Sequence, residues 1–374
     1  MRWIPLLLVL LTLLSAAPDG HADDLDAALR TRVDVAIAEG LDWLAAQQSD
    51  AGAWSNEKFP ALSALPLEAF AQSDHADRDA IVSNSCAFIL SKAQKNGGIY
   101  RKSIVPGRGG LSTYNTAVCV SALHAVGDPA FLTTILKARA FLTESQLVGD
   151  DEHAGGFGYG QSSIRRSTDL MVSMHAVEAM YRTRDAEDSR ASGETRAKLD
   201  AEKTLAYITQ MQNASDAGDA EQGGFFYGPG KSGAGKTENA KGEVVFRSYG
   251  SMTYAGLLAL IYTDVPRDDP RVKSAFAWSL DHWTLDENPG LGVQGMYFFY
   301  NVLAKALDTY GVNPLTPSEG EPINWKAALA EKLLTLQTRD ADSGHAYWVN
   351  ANGRYWENDP VLVTSYAIQA LQRL

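Results

Sequence analysis

The chain is 374 residues long, 45% hydrophobic, and carries a formal net charge of −12. That size and apolar content suffice to bury a large core in one or two domains. The acidic balance argues against nucleic acid or an anionic membrane surface as partner, because their phosphates would be repelled.

At the N-terminus, Arg2 precedes a nearly all-aliphatic run from Leu6 to Leu14, then small residues up to Gly20-His21-Ala22. This is the pattern of an export signal cut after Ala22, with residues 1–22 as signal peptide and 23–374 as one mature domain. The run is too short to span a bilayer comfortably, and no later stretch is a transmembrane candidate. The protein is therefore expected to be exported, to the periplasm or outside the cell, with no membrane span after cleavage. Cys86 and Cys119 sit in apolar helical stretches. They read as buried free thiols, although an oxidising compartment would permit pairing.

One pattern then recurs. A helix ends near a Gln or an aromatic, a glycine turn with a neighbouring aromatic follows, and a second, more apolar helix closes the unit. The first unit runs Gly40 to Gln48, Gly52-Ala53-Trp54, and a helix near Ala64 to Gln72. The second has Ala87 to Gln94, Gly97-Gly98-Ile99-Tyr100, and Asn115 to Val126. The third has Ala140 to Gln146, Gly155 to Tyr159, and Leu170 to Tyr181. The fourth has Leu205 to Gln212, Gly223 to Tyr227, and Met252 to Tyr262. The fifth is degenerate: Phe276 to Trp283, Gly290 to Gly295, and Met296 to Tyr310. The sixth has Leu333 to Gln337, Gly344-His345-Ala346-Tyr347, and Val361 to Leu374.

A two-helix unit cannot bury its apolar face alone, so neighbours must stack. The second helices are apolar on more than one face and belong in an inner ring; the more amphipathic first helices belong outside. Asp185 to Ala197 and Gly228 to Glu243 interrupt the pattern as polar insertions, read as surface loops or lids, and Pro314 to Pro322 is a polar connector. Gly230 to Thr237 matches the P-loop pattern letter by letter. It lacks the preceding buried strand and following helix that such a loop needs, so it reads as a chance match.

The repeated Gln…Gly-aromatic units with apolar second helices resemble the terpenoid cyclase and protein prenyltransferase superfamily. The resemblance covers about Val33 to Leu374 and implies an all-α fold, an α/α toroid of about six helical hairpins. It also implies a hydrophobic, isoprenoid-like small molecule in the barrel. The cyclases open one inner helix with Asp-x-Asp-Asp-Thr-Ala, a source of strong acid. Here the aligned stretch is Ser112-Thr113-Tyr114-Asn115-Thr116-Ala117, which keeps Thr-Ala and lacks the carboxylates. The Asp, Cys and His zinc ligands of prenyltransferases have no counterpart either.

No metal or cofactor is expected. His124 and His175 fall on neighbouring second helices at different positions, which suits core histidines better than ligands. In a closed ring all inner helices start at one end of the barrel, and candidate residues cluster there. Asp169, Tyr114 and Asn115 are the candidates for catalysis; Tyr249, Tyr254, Arg165 and Tyr297 are those for ligand binding, as aromatics with a few polar groups suit an apolar ligand. Phe298, Phe299 and Tyr300 would add an aromatic wall. The alternative is a non-catalytic scaffold whose repeat surface contacts another protein. A carbohydrate-active barrel is a third reading, which needs paired carboxylates at the mouth.

Overall fold

The structure, a computed structural model, describes residues 25–102, 111–160 and 167–374. The proposed export signal and Arg165 lie outside the described residues. Among the described residues twelve α-helices run in order: α1 (Ala27–Gln47), α2 (Ala61–Ala71), α3 (Arg78–Ser91), α4 (Ser112–Val126), α5 (Leu132–Ser145), α6 (Leu170–Arg182), α7 (Ala201–Gln210), α8 (Gly250–Tyr262), α9 (Pro270–Asp281), α10 (Met296–Tyr310), α11 (Trp325–Thr335) and α12 (Pro360–Leu371). Odd and even helices differ in how they are buried. In α8 every residue but Ile261 is buried. In α7 only Thr204, Tyr207 and Ile208 are, a single stripe at helical spacing.

The even helices close a ring. α2 packs on α4, α4 on α6, α6 on α8, α8 on α10, α10 on α12, and α12 back on α2. The odd helices cover the seams from outside, and α1 closes the last one by packing on α11 and α12. The expectation of all-α structure holds, with two small additions. The 228–243 insertion, read as a loop, contains β1 (Lys236–Glu238), which pairs antiparallel with β2 (Val244–Phe246) just after it, and the sixth turn forms another hairpin of β3 (Thr338–Arg339) and β4 (Ala346–Tyr347). Cys86 and Cys119 are buried free thiols. Among the described residues no helix is long and apolar enough to cross a membrane.

The turn motif is what locks unit to unit. The first glycine of each turn has a left-handed backbone: Gly52, Gly97, Gly155, Gly223, Gly290 and Gly344 have φ between 74 and 90°. In four of them a Cβ would sit within 2.3 Å of a carbonyl oxygen on the next outer helix, so the backbones approach where only glycine fits. The residue behind the glycines plugs the seam. Trp54, Ile99, Phe157, Phe225 and Trp348 are each 0% exposed. The amide of each plug donates to a hydroxyl on the first turn of its inner helix: Ser63, Thr116, Ser173, Thr253 and Thr364, at 2.8 to 3.1 Å. In the second and sixth units the plug is not the aromatic named from sequence. Ile99 plugs while Tyr100 packs on Phe141, and Trp348 plugs while Tyr347 stacks on Trp43. The motif Gln also bridges: Gln212 donates both to Gly223 of its own turn and to Arg271 on α9.

Candidate functional site

The N-terminal turns of the six inner helices surround a cavity of about 500 Å³. Each contributes at least one side chain. Ala61 and Leu62 come from α2, Tyr114 from α4, Met171 from α6, Ser251 and Met252 from α8, Phe298 from α10, and Leu362 and Tyr366 from α12. The turns complete the wall with Tyr159, Tyr227, Tyr249, Leu291, Tyr355, Trp356 and Glu357. Tyr355 and Trp356 adopt the left-handed conformation, φ 60 and 69°, and stay half-exposed at the rim. Such backbone is uncommon for bulky residues and persists only where the surroundings enforce it. The 228–243 insertion reaches the same rim: Gly233 lies beside Tyr249, Leu291 and the Tyr355 hydroxyl. The Gly230–Thr237 match runs into β1 and not into a helix, so it has no phosphate-binding context.

Six helix N-termini at one rim would suggest an anion site, but their amides are already used. Those of Thr113 and Tyr114 donate to the Tyr159 carbonyl, Leu170 to Tyr227, and Gly250 to Pro289. Those of Tyr297 and Phe298 donate to Glu357 Oε1 at 3.0 and 2.9 Å. Each inner helix from α4 to α10 is thus capped by the turn of the following unit. No Lys or Arg is among the described residues that line the cavity. Among the described residues a free phosphate or diphosphate therefore finds no countercharge on the wall.

Below the cavity the barrel is filled by charge. Lys305 Nζ lies 2.8 Å from Glu178, Arg182 lies 2.6 Å from Glu68, and all four side chains are largely buried. Arg182 and Lys305 hold the Glu68 carboxyl below its ordinary range despite its burial. Gln369 donates to the Leu65 carbonyl and to Asn301 it offers its own oxygen. The cavity therefore opens at one end only. His175, one turn along α6 from Met171, lies between the two layers. Its ring packs against Tyr114 at 5.4 Å and Phe298 at 6.4 Å, and Nδ1 is 3.7 Å from Glu178.

The residues singled out in the sequence separate by helical phase. Tyr114 and Tyr249 line the cavity. Burial pushes the Tyr114 hydroxyl up to about 12, against a bond from Tyr366. Asp169 sits just behind the wall as the N-cap of α6, accepting from Val172 N at 2.9 Å. Burial pushes its carboxyl up to about 6, while Val172 N, Lys231 and the Tyr227 hydroxyl pull it back. The Tyr227 and Tyr159 hydroxyls are 3.4 Å apart, so Asp169 reaches the cavity through tyrosines. Asn115 does not face the cavity; its side chain accepts from Ala61 N and caps α2. Tyr254 points away, packing on Phe299 with its hydroxyl toward Ser279. Tyr297 packs edge-on against Tyr300, and it is Phe298 that lines the wall. Glu357, Tyr355 and Trp356 went unnoticed in sequence because they follow the sixth turn at a distance the repeat does not predict. Among the described residues no three His, Cys, Asp or Glu side chains group as metal ligands.

Fold comparison places this geometry. A variant of the type II terpene cyclase MstE from Scytonema, solved with the substrate geranylgeranyl dihydroxybenzoate, superposes with a TM-score of 0.56 at 12% identity, over 93% of this chain and 98% of that one. The closed inner ring decides the architecture. This chain is an α/α toroid. The toroid is also shared by a GH76A alpha-1,6-mannanase from Salegentibacter (TM-score 0.54, 10% identity, 92% and 98% coverage). An alpha-amylase from Clostridium perfringens matches as well (TM-score 0.53, 11% identity, 92% and 98%). At these identities the likeness is one of fold, which hosts unrelated chemistries. The sequence matches no family profile and no curated relative.

Proposed function

We propose that this toroid binds a hydrophobic, isoprenoid-like molecule in the barrel, as an exported protein. One observation carries the reading: a cavity of about 500 Å³ at the inner-helix N-termini, open at one end and walled by tyrosine, phenylalanine and aliphatic side chains. That volume lies within the ~300–1,000 Å³ of small-molecule sites, with an apolar lining and a few polar tips. The likeness to a cyclase solved with a prenylated substrate supports it. The scaffold alternative leaves such a cavity without a purpose.

The reading is of binding. The lining hydroxyls are weak acids made weaker by burial, and the Glu357 carboxyl is committed to capping α10. A carbohydrate-active site fits less well, because Asp169 and Glu357, buried carboxylates beside the cavity, already serve as helix caps.

Protein purified from its natural export compartment should yield a co-purifying isoprenoid-like lipid by native mass spectrometry and solvent extraction. A panel of prenols of increasing chain length should then quench intrinsic tryptophan fluorescence saturably, with one preferred length. Saturable binding to none of them would sink the reading. N-terminal sequencing of the same material should begin at Asp23, and a chain starting at Met1 would refute export by cleavage.

A further inference from the structure

Five glutamates are buried in this toroid: Glu68, Glu178, Glu187, Glu221 and Glu357. Four have a cation in contact. Glu68 pairs with Arg182 at 2.6 Å, Glu178 with Lys305 at 2.8 Å, Glu187 with Arg139 at 2.8 Å, and Glu221 with Arg247 at 3.2 Å. Glu357 has none among the described residues; its oxygens accept from the Tyr297 and Phe298 amides and from Asn350 Nδ2 at 2.7 Å. It is also the one of the five that lines the cavity. A buried carboxylate ordinarily has a countercharge, because hydrogen bonds offset only part of its lost hydration.

The surroundings of Glu357 suit a cation. Tyr249, Tyr355, Trp356 and Phe298 share the wall with it, and aromatic rings attract positive charge through their quadrupoles. Two rim tyrosines already hold cations of the chain itself. Lys231 Nζ lies 5.1 Å from the Tyr227 centroid, and Arg354 Cζ lies 5.2 Å from that of Tyr355. Neither Lys231 nor Arg354 lines the cavity, so among the described residues no cation of the chain shares the wall with the Glu357 carboxyl.

We propose that the ligand is a hydrophobic cation: an apolar, isoprenoid-like tail carrying a tertiary or quaternary ammonium that rests against Glu357 among the rings of Tyr249, Phe298, Tyr355 and Trp356. The inference rests on the binding reading above and adds the head group. Tail burial supplies affinity, and the cage with its carboxylate supplies selection for charge.

Dodecyltrimethylammonium below its micellar concentration, dodecanol and dodecyl sulfate share a tail length and differ in head. Titrated into the full-length protein by tryptophan fluorescence, the ammonium should bind roughly tenfold or more tighter than dodecanol, and the sulfate weakest. Glu357→Gln should cut the ammonium-over-dodecanol preference to below about threefold, and because Glu357 also caps α10 and accepts from Asn350, a lowered melting temperature is expected with it. Should that variant misfold, Trp356→Leu at the half-exposed rim should weaken the ammonium more than dodecanol. Equal or tighter binding of dodecanol, or an ammonium preference untouched in both variants, overturns the inference while leaving the binding reading intact. Failure of every tail to bind overturns both.

Discussion

Gly155 lies against Lys203 so closely that a Cβ on the glycine would sit 2.0 Å from the Lys203 carbonyl oxygen. The contact joins the third turn to α7 of the fourth unit, backbone to backbone. Gly155→Ala should therefore cost about 2–4 kcal/mol, combining left-handed strain with a clash that backbone cannot easily relieve. Gly344→Ala is the control. Its φ is 74°, yet nothing lies within 4 Å of the added Cβ, so strain alone should cost about 1–2 kcal/mol. Urea unfolding of both variants measures the difference.

The seam plugs predict a second effect. Phe225 is fully buried, and its amide is held by Thr253 Oγ1 at 3.1 Å. Phe225→Ala should lose about 3–5 kcal/mol through lost burial and the cavity left behind. Thr253→Val, which removes the hydroxyl that accepts from Phe225 N and donates to the Tyr249 carbonyl, should lose about 1–3 kcal/mol. Chemical denaturation with an unchanged m-value would confirm that both act on the folded state.

The charged floor of the barrel has a pH signature. Lys305, with the His175 and Arg182 contacts, holds Glu178 well below its ordinary range. A carboxylate depressed in the folded state contributes stability that is present above the unfolded value of about 4.5 and is lost as pH falls toward the folded one. Lys305→Met leaves Glu178 buried without its nearest cation and should cost about 3–5 kcal/mol at neutral pH. Melting temperatures between pH 2 and 7 should show the variant's deficit shrinking as Glu178 protonates.

Asp169 has the opposite sign. Its carboxyl is raised to about 6, so the folded state binds the proton more tightly than the unfolded chain. Stability from this group is therefore full below about pH 4 and is lost as pH rises through about 6. Asp169→Asn keeps a side-chain acceptor for Val172 N. It should be about 1–3 kcal/mol more stable than the parent at pH 7 and no more stable at pH 4. Equal stability at pH 7 would mean that Tyr227 and Lys231 compensate the charge fully.

The cavity itself can be tested by filling it. Leu362 lines the wall from the first turn of α12 and is 5% exposed. Leu362→Trp should occupy the space and weaken the best-binding prenol by at least about tenfold, at a stability cost under about 3 kcal/mol.

The ring was legible because its inner helices are apolar on all faces, which only a doubly buried helix can be. The level of the site along the barrel was legible too, since every inner helix starts at the same end. Angular phase was not. On α10 the wall residue is Phe298, and its neighbour Tyr297 is rotated by about 100° into the seam. On α8 Met252 faces the cavity and Tyr254, two residues on, faces away. A single sequence does not state how far each helix is turned about its own axis, so aromatic content at the right level marked both kinds of position alike. Glu357 was missed for another reason. It stands nine residues after its seam plug, Trp348, whereas the repeat places nothing beyond the plug.

The closing seam between the first and last units has a consequence for folding and for redesign. In an open solenoid a terminal repeat can be lost while its neighbours stand. Here α1 packs on α11 and α12, α12 on α2, and Arg30 donates to the Leu374 carbonyl at 3.0 Å. Contacts spanning more than 300 residues carry the largest loop-closure cost, so ring closure should slow folding. Removal of either end would strip both flanks of the gap and unfold the whole ring. Proximity of the two ends makes the opposite operation mild. A short linker from Leu374 to Asp26, with new termini opened in the exposed 318–322 stretch, should give a circular permutant that keeps the barrel and its cavity.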